Sequence, residues 1–122
     1  MFRTALLALV LSLLVGMAPD TAEAHAIIIS SSPAPKAVVQ GPDVVVKLDF
    51  NSRIDKARSI LDLIGPDATS RHLPIAETSD DGTLGSDAKG LAPGAWRLRW
   101  QVLSVDGHIT RGDIPFTVAP AP

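Results

Sequence analysis

A chain of 122 residues, 46% of them hydrophobic, with no cysteine and a formal net charge of −2, fits one domain rather than two. With 11 Lys and Arg against 13 Asp and Glu, it lacks the clustered positive charge that displaces counterions from a phosphate backbone, which argues against nucleic acid and anionic membrane surfaces as partners. The absence of cysteine excludes a disulfide framework and any thiol nucleophile.

The N-terminus reads as an export signal. Arg3 precedes the apolar run Ala5 to Val15, Gly16 and Pro19 interrupt it, and Ala22-Glu23-Ala24 supplies the small-x-small pattern of a cleavage site. A transmembrane anchor needs about 18 or more apolar residues, and even Ala5 to Ala18 gives only 14. Residues 1–24 are therefore expected to be a signal peptide cleaved after Ala24, with residues 25–122 forming one exported domain that is not inserted in the membrane. Cleavage makes His25 the first residue of the mature chain.

Beyond that point apolar residues recur with a period of two, the signature of strands with one face buried. Ala26 to Ser30 is the first candidate. Val44, Val46, Leu48 and Phe50 are expected to face inward, with Val45, Lys47 and Asp49 outward. Ser59 to Ile64 is rich in branched apolar residues and closed by Gly65-Pro66. Trp96, Leu98, Trp100 and Val102 repeat the inward pattern, as do Ile114, Phe116 and Val118, and both tryptophans are expected in the core. Turn chemistry at Ser32-Pro33-Ala34-Pro35, Gly41-Pro42, Asp80-Asp81-Gly82 and Pro93-Gly94 separates these runs. The acidic residues Glu77, Asp80, Asp81 and Asp87 lack the spacing of a calcium loop and are expected on solvated loop. No stretch has helical periodicity. The expectation is all-β: a Greek-key immunoglobulin-like sandwich or a small β-barrel.

Enzyme templates are absent: no G-x-S-x-G elbow, no phosphate-cradling glycine loop and no H-E-x-x-H. The chemistry rests on histidine. At a free N-terminus, His25 offers its α-amine and ring Nδ1 to one ion, a chelate that exists only after cleavage. Asp106 and His108, at i and i+2 of an extended segment, project from one face with α-carbons about 6.5 Å apart, and Gly107 leaves no side chain between them. Asp106-Gly107 is equally a strong hairpin-turn signal, with His108 merely exposed beside it. His72, in Ser70-Arg71-His72-Leu73-Pro74, has no partner at ligand spacing and is expected on an exposed loop. An amine, two imidazoles and a carboxylate suit tetragonal copper(II). Zinc accepts the same donors tetrahedrally but ranks below copper(II) for such a site.

The segment LAPGAWRLRWQVLSVDGHITRGDIPFTV, Leu91 to Val118, resembles the signature of the CopC copper-resistance family. His25-Ala26, Ser32-Pro33-Ala34 and Leu48-Asp49-Phe50 resemble the same family, so the likeness spans residues 25–122. It implies a periplasmic β-sandwich or barrel that holds one copper(II) ion per chain through His25, Asp106 and His108, for copper resistance or homeostasis. It also implies association with a CopD-type membrane permease, which some members carry as a fusion; none is expected in a chain ending at Pro122. Some members have a methionine-rich copper(I) loop, whereas the only methionines here, Met1 and Met17, precede the expected cut. Asn51-Ser52-Arg53 stands where some members have an acidic residue, and Lys36 replaces a common glycine, which is expected only to alter a turn. Two other functions compete with a binding protein. One is a histidine-brace copper oxidase, disfavoured because Asp106 holds copper in its oxidised state and because such enzymes often add an axial Tyr or Phe, whereas this chain has no Tyr. The other is a metal-free immunoglobulin-like interaction module.

Overall fold

Alternating burial along a few strands builds the walls of the molecule. The structure, a computed structural model, describes residues 26–77 and 80–121; the expected signal peptide, residues 1–24, and His25 lie outside the described residues. The strands run β1 (Ile28–Ser32), β2 (Val38–Gln40), β3 (Val44–Phe50), β4 (Ile54–Ile64), β5 (Ser70–Leu73), β6 (Thr83–Ala88), β7 (Gly94–Ser104) and β8 (Ile109–Ala119). Among the described residues there is no helix, and therefore none long and apolar enough to cross a membrane.

Strands β1, β3 and β6 form one sheet in the order β1-β3-β6, and the other five pair as β2-β8-β7-β4-β5. The chain crosses between the sheets repeatedly, and both sheets keep open edges, so the architecture is a sandwich rather than a closed barrel. Every pairing is antiparallel except β2 with β8, which is parallel.

The expected inward sets fill the space between the sheets. Val44, Val46, Leu48 and Phe50 are buried, as are Leu98, Trp100, Val102, Ile114, Phe116 and Val118, with Leu61, Leu63 and Leu84 completing the core. Burying a side chain of this size contributes roughly 1.5–3 kcal/mol. Trp100 meets Phe50 edge-on, ring centroids 5.4 Å apart. Its indole also covers Gly112, where a Cβ would lie 2.5 Å from the ring. Trp96 departs from expectation. It is only half-buried at the margin of the core, its indole N–H donates to the Ala92 carbonyl at 2.8 Å, and Arg71 lies over its ring.

Three strands went unread in the sequence. In β6 the inward positions include Ser86 and Ala88, which give no apolar alternation, while β2 and β5 are short edge strands. The first strand runs Ile28–Ser32 rather than 26–30, because Ser30, Ser31 and Ser32 pair with Asp49, Leu48 and Lys47. Strand β4 begins at Ile54, five residues before the expected Ser59. Ile54 and Asp55 already pair with Ser104 and Leu103, and an irregularity then shifts the register before Ile60, so a polar segment joins the strand without alternating. Lys36 sits at φ 65, in the left-handed region that favours glycine, which explains why a glycine suits this turn.

Candidate metal centre

At one end of the sandwich β7 turns into β8. The turn closes on backbone bonds: the Ser104 N–H donates to the His108 carbonyl at 2.9 Å, and the Gly107 N–H to the Ser104 carbonyl at 2.9 Å. Gly107 has φ 91, a conformation that a side chain resists. The expectation that Asp106 and His108 share the face of an extended segment is thus corrected, since Val105 and Asp106 lie in a turn and His108 just precedes β8. The turn nonetheless brings the two side chains together. His108 Nδ1 lies 3.0 Å from Asp106 Oδ2, with the side chains 55% and 35% exposed.

The other carboxylate oxygen of Asp106 is held from two sides. The Ser104 hydroxyl donates to Oδ1, and the His108 N–H donates to the same atom at 3.2 Å. The Ser104 bond, followed by those from His108, draws the Asp106 pKa down to about 2. Asp106 is therefore anionic throughout the neutral range.

The start of the described chain is tied to the neighbouring loop. Ala26 is buried; the Ile27 N–H donates to Asn51 Oδ1 at 2.8 Å, and the Asn51 N–H returns a bond to the Ile27 carbonyl at 2.9 Å. Two residues on, the Arg53 carbonyl accepts from the Val105 N–H at 3.4 Å, and Ile54 pairs with Ser104. The segment 51–54 thus lies between the N-terminal tie and the Asp106–His108 turn. Sequence reading weighed Asn51 only as a missing carboxylate and passed over its role as anchor; an amide directly after the strand-ending Phe50 was the available signal.

Two hydroxyls near this end, Ser52 Oγ and Thr110 Oγ1, are buried without a hydrogen-bond partner, a condition that ordinarily calls for water or a ligand. Arg53 is paired with Asp81 at 3.2 Å. Among the described residues no three His, Asp or Glu side chains gather around one point; of the expected ligands, Asp106 and His108 are together, and His25 lies outside the described residues.

His72 stands apart. It lies on β5 rather than on a loop, and its Nδ1 is 2.9 Å from Asp62 Oδ1, its register partner on β4. That pair continues along the outer face to Arg99, which bonds Asp113 at 3.1 Å; the guanidinium beside it leaves the row a charge ladder rather than a cation site. Glu77, Asp80 and Asp81 are exposed outside the strands as expected, while Asp87 is exposed on β6.

The fold and this end loop define a class: a small β-sandwich presenting an anionic carboxylate beside an imidazole at one end. A family model described as the CopC domain matches residues 28–119, and the chain belongs to that family. YobA of Escherichia coli (strain K12) is 31% identical over 98 residues, covering 78% of this chain and 79% of that protein. Copper resistance protein C of Xanthomonas campestris pv. juglandis is 27% identical over 110 residues, covering 84% and 86%. Copper transport protein CutJ of Bacillus subtilis (strain 168) is 25% identical over 93% of this chain but only 21% of its own length, so the chain spans about a fifth of that relative. The crystal structure of CopC from Methylosinus trichosporium OB3b superposes with a TM-score of 0.71 at 30% identity, covering 80% of this chain and 97% of that one.

Proposed function

We propose that the mature protein is a non-enzymatic copper(II)-binding protein of the periplasm that sequesters or delivers one ion per chain through His25, Asp106 and His108. Copper is its cargo. The observation that carries this reading is the 3.0 Å separation of Asp106 Oδ2 and His108 Nδ1. It places an imidazole nitrogen and an anionic carboxylate oxygen within reach of one ion, and it is the nitrogen–oxygen character of the donor set that favours copper(II) over zinc.

The third ligand is supplied by the chain start. His25 is one α-carbon step, about 3.8 Å, from the buried Ala26, and the next residue, Ile27, is tied to Asn51 on the flank of the Asp106–His108 turn. Signal cleavage after Ala24 frees the α-amine that completes the donor set. The copper-related names of the relatives agree with this reading.

With neither Cys nor Met after Ala24, the mature chain has no soft sulfur for copper(I), so reduction loosens the ion. Release on reduction would serve as the hand-over step toward a CopD-type permease. Titrating mature protein with copper(II) tests the reading: one ion binds per chain, Asp106→Ala and His108→Ala each weaken binding, and His72→Ala leaves it unchanged. Retained affinity in both ligand variants, or a changed copper(II) EPR spectrum in the His72 variant, would place the site elsewhere.

A further inference from the structure

We propose that Ser104 is a positioning residue of this site: its hydroxyl fixes the rotation of the Asp106 carboxylate so that Oδ2 is presented beside His108 Nδ1. The consequence for copper rests on the ligand reading above. The hold on Asp106 does not.

Ser104 is the last residue of β7 and only 3% exposed. Its backbone is fixed from both sides, by the pairing with Ile54 and by the bonds that close the turn, so its side chain is delivered from a rigid element. The hydroxyl bonds Asp106 Oδ1 and lies 3.1 Å from the His108 carbonyl as a secondary acceptor. The His108 N–H reaches Oδ1 as well, at 3.2 Å. With two donors converging on Oδ1, the carboxylate plane is set, and Oδ2 is the oxygen left toward the imidazole at 3.0 Å. Asp106 sits in a turn and is partly exposed, so without the hydroxyl Oδ1 would keep only the His108 N–H, and the carboxylate would be held against rotation into solvent by His108 alone. Fixing a ligand through a group that never touches the ion is the way outer-shell partners raise affinity, typically by 10–100-fold.

Ser59 supplies an internal control. It too is a buried serine against β7, 8% exposed, but its hydroxyl bonds the Asp55 carbonyl and accepts from the Leu103 N–H, with no contact to Asp106. Loss of a hydroxyl from either serine costs packing alike; only Ser104 is expected to alter the site.

The test compares Ser104→Ala, Ser104→Thr and Ser59→Ala in the mature protein. In the metal-free state, Ser104→Ala is expected to shift the Asp106 13Cγ and His108 amide resonances, and Ser59→Ala to leave both in place. With copper(II) added, Ser104→Ala weakens binding about tenfold or more and changes the EPR hyperfine splitting, Ser104→Thr restores both by keeping the hydroxyl, and Ser59→Ala behaves as wild type. A Ser104→Ala protein with wild-type resonances, affinity and spectrum overturns the proposal, and so does an equal loss of affinity in Ser59→Ala. If wild type takes up no copper(II), the ligand reading is what has failed; the metal-free resonances still decide whether Ser104 orients Asp106.

Discussion

The β7–β8 hairpin is built in two different ways along its length. In its middle, Trp100 covers Gly112 and meets Phe50 edge-on, and position is decided by apolar volume. At its tip, Ser104, Asp106 and His108 are placed by a short web of hydrogen bonds around one carboxylate, and almost nothing apolar holds them. The difference teaches that stability and the geometry of the Asp106–His108 pair are carried by separate residues of a single hairpin. Substitutions in the middle should unfold the protein without retuning the site, and substitutions at the tip should do the reverse.

The largest effect on stability is expected from Gly112→Ala. Its Cβ would lie 2.5 Å from the Trp100 ring, and overpacking of this kind costs about 1–3 kcal/mol. Denaturant melts would measure that loss, while the copper(II) affinity of the folded protein stays near wild type. A large loss of affinity without loss of stability would break the division between middle and tip.

Asn51→Ala should give the opposite balance. It removes the side-chain acceptor of the Ile27 N–H, for about 0.5–1.5 kcal/mol in stability, but it loosens the chain start that carries His25. Faster amide exchange at Ile27 together with a disproportionate loss of copper(II) affinity is the expected pair of results. Unchanged affinity alongside faster exchange would show that the tie to Asn51 does not serve the site.

A smaller effect sharpens the comparison in the other sheet. Asp49 Oδ1 accepts from the Thr83 hydroxyl at 2.7 Å and Oδ2 from the Ser30 hydroxyl at 2.7 Å, so one carboxylate clasps β1, β3 and β6 together. These bonds, Thr83 first, hold its pKa below the usual carboxylate value. A depressed folded-state pKa contributes stability that is present above the unfolded value of about 3.9 and lost as pH falls through the folded one. Asp49→Asn should therefore melt a few degrees below wild type at neutral pH, with the gap closing in acid. A gap that stays constant from neutral pH down to strong acid would remove the carboxylate from the account.

Much of the middle of this molecule was legible because alternation writes itself into sequence wherever large apolar side chains face one way, as from Val44 to Phe50 and from Leu98 to Val102. Strand β6 hid because Ser86 and Ala88 occupy inward positions, and the start of β4 hid because it is polar and joins across a register shift. At the tip, spacing singled out Asp106 and His108, yet the extended segment invoked for them was the wrong mechanism: a turn with a left-handed Gly107 brings them together. The hairpin signal and the ligand signal, set against each other in the sequence, describe the same residues. Ser104 was invisible because one buried serine in a strand looks like any other until its acceptor is known, and the same holds for Asn51 and for the pairing of His72 with Asp62.

The central claim is that a cleaved N-terminus joins Asp106 and His108 around one copper(II) ion. It is tested most directly by titrating copper(II) into two otherwise identical proteins, one beginning at His25 and one with a single extra residue before it, following both by EPR. The account predicts that the first binds one ion with a tetragonal nitrogen-oxygen spectrum and that the second loses much of that affinity and changes its spectrum, because the α-amine has moved away from the His25 ring. Equal affinity and identical spectra for the two proteins would contradict it.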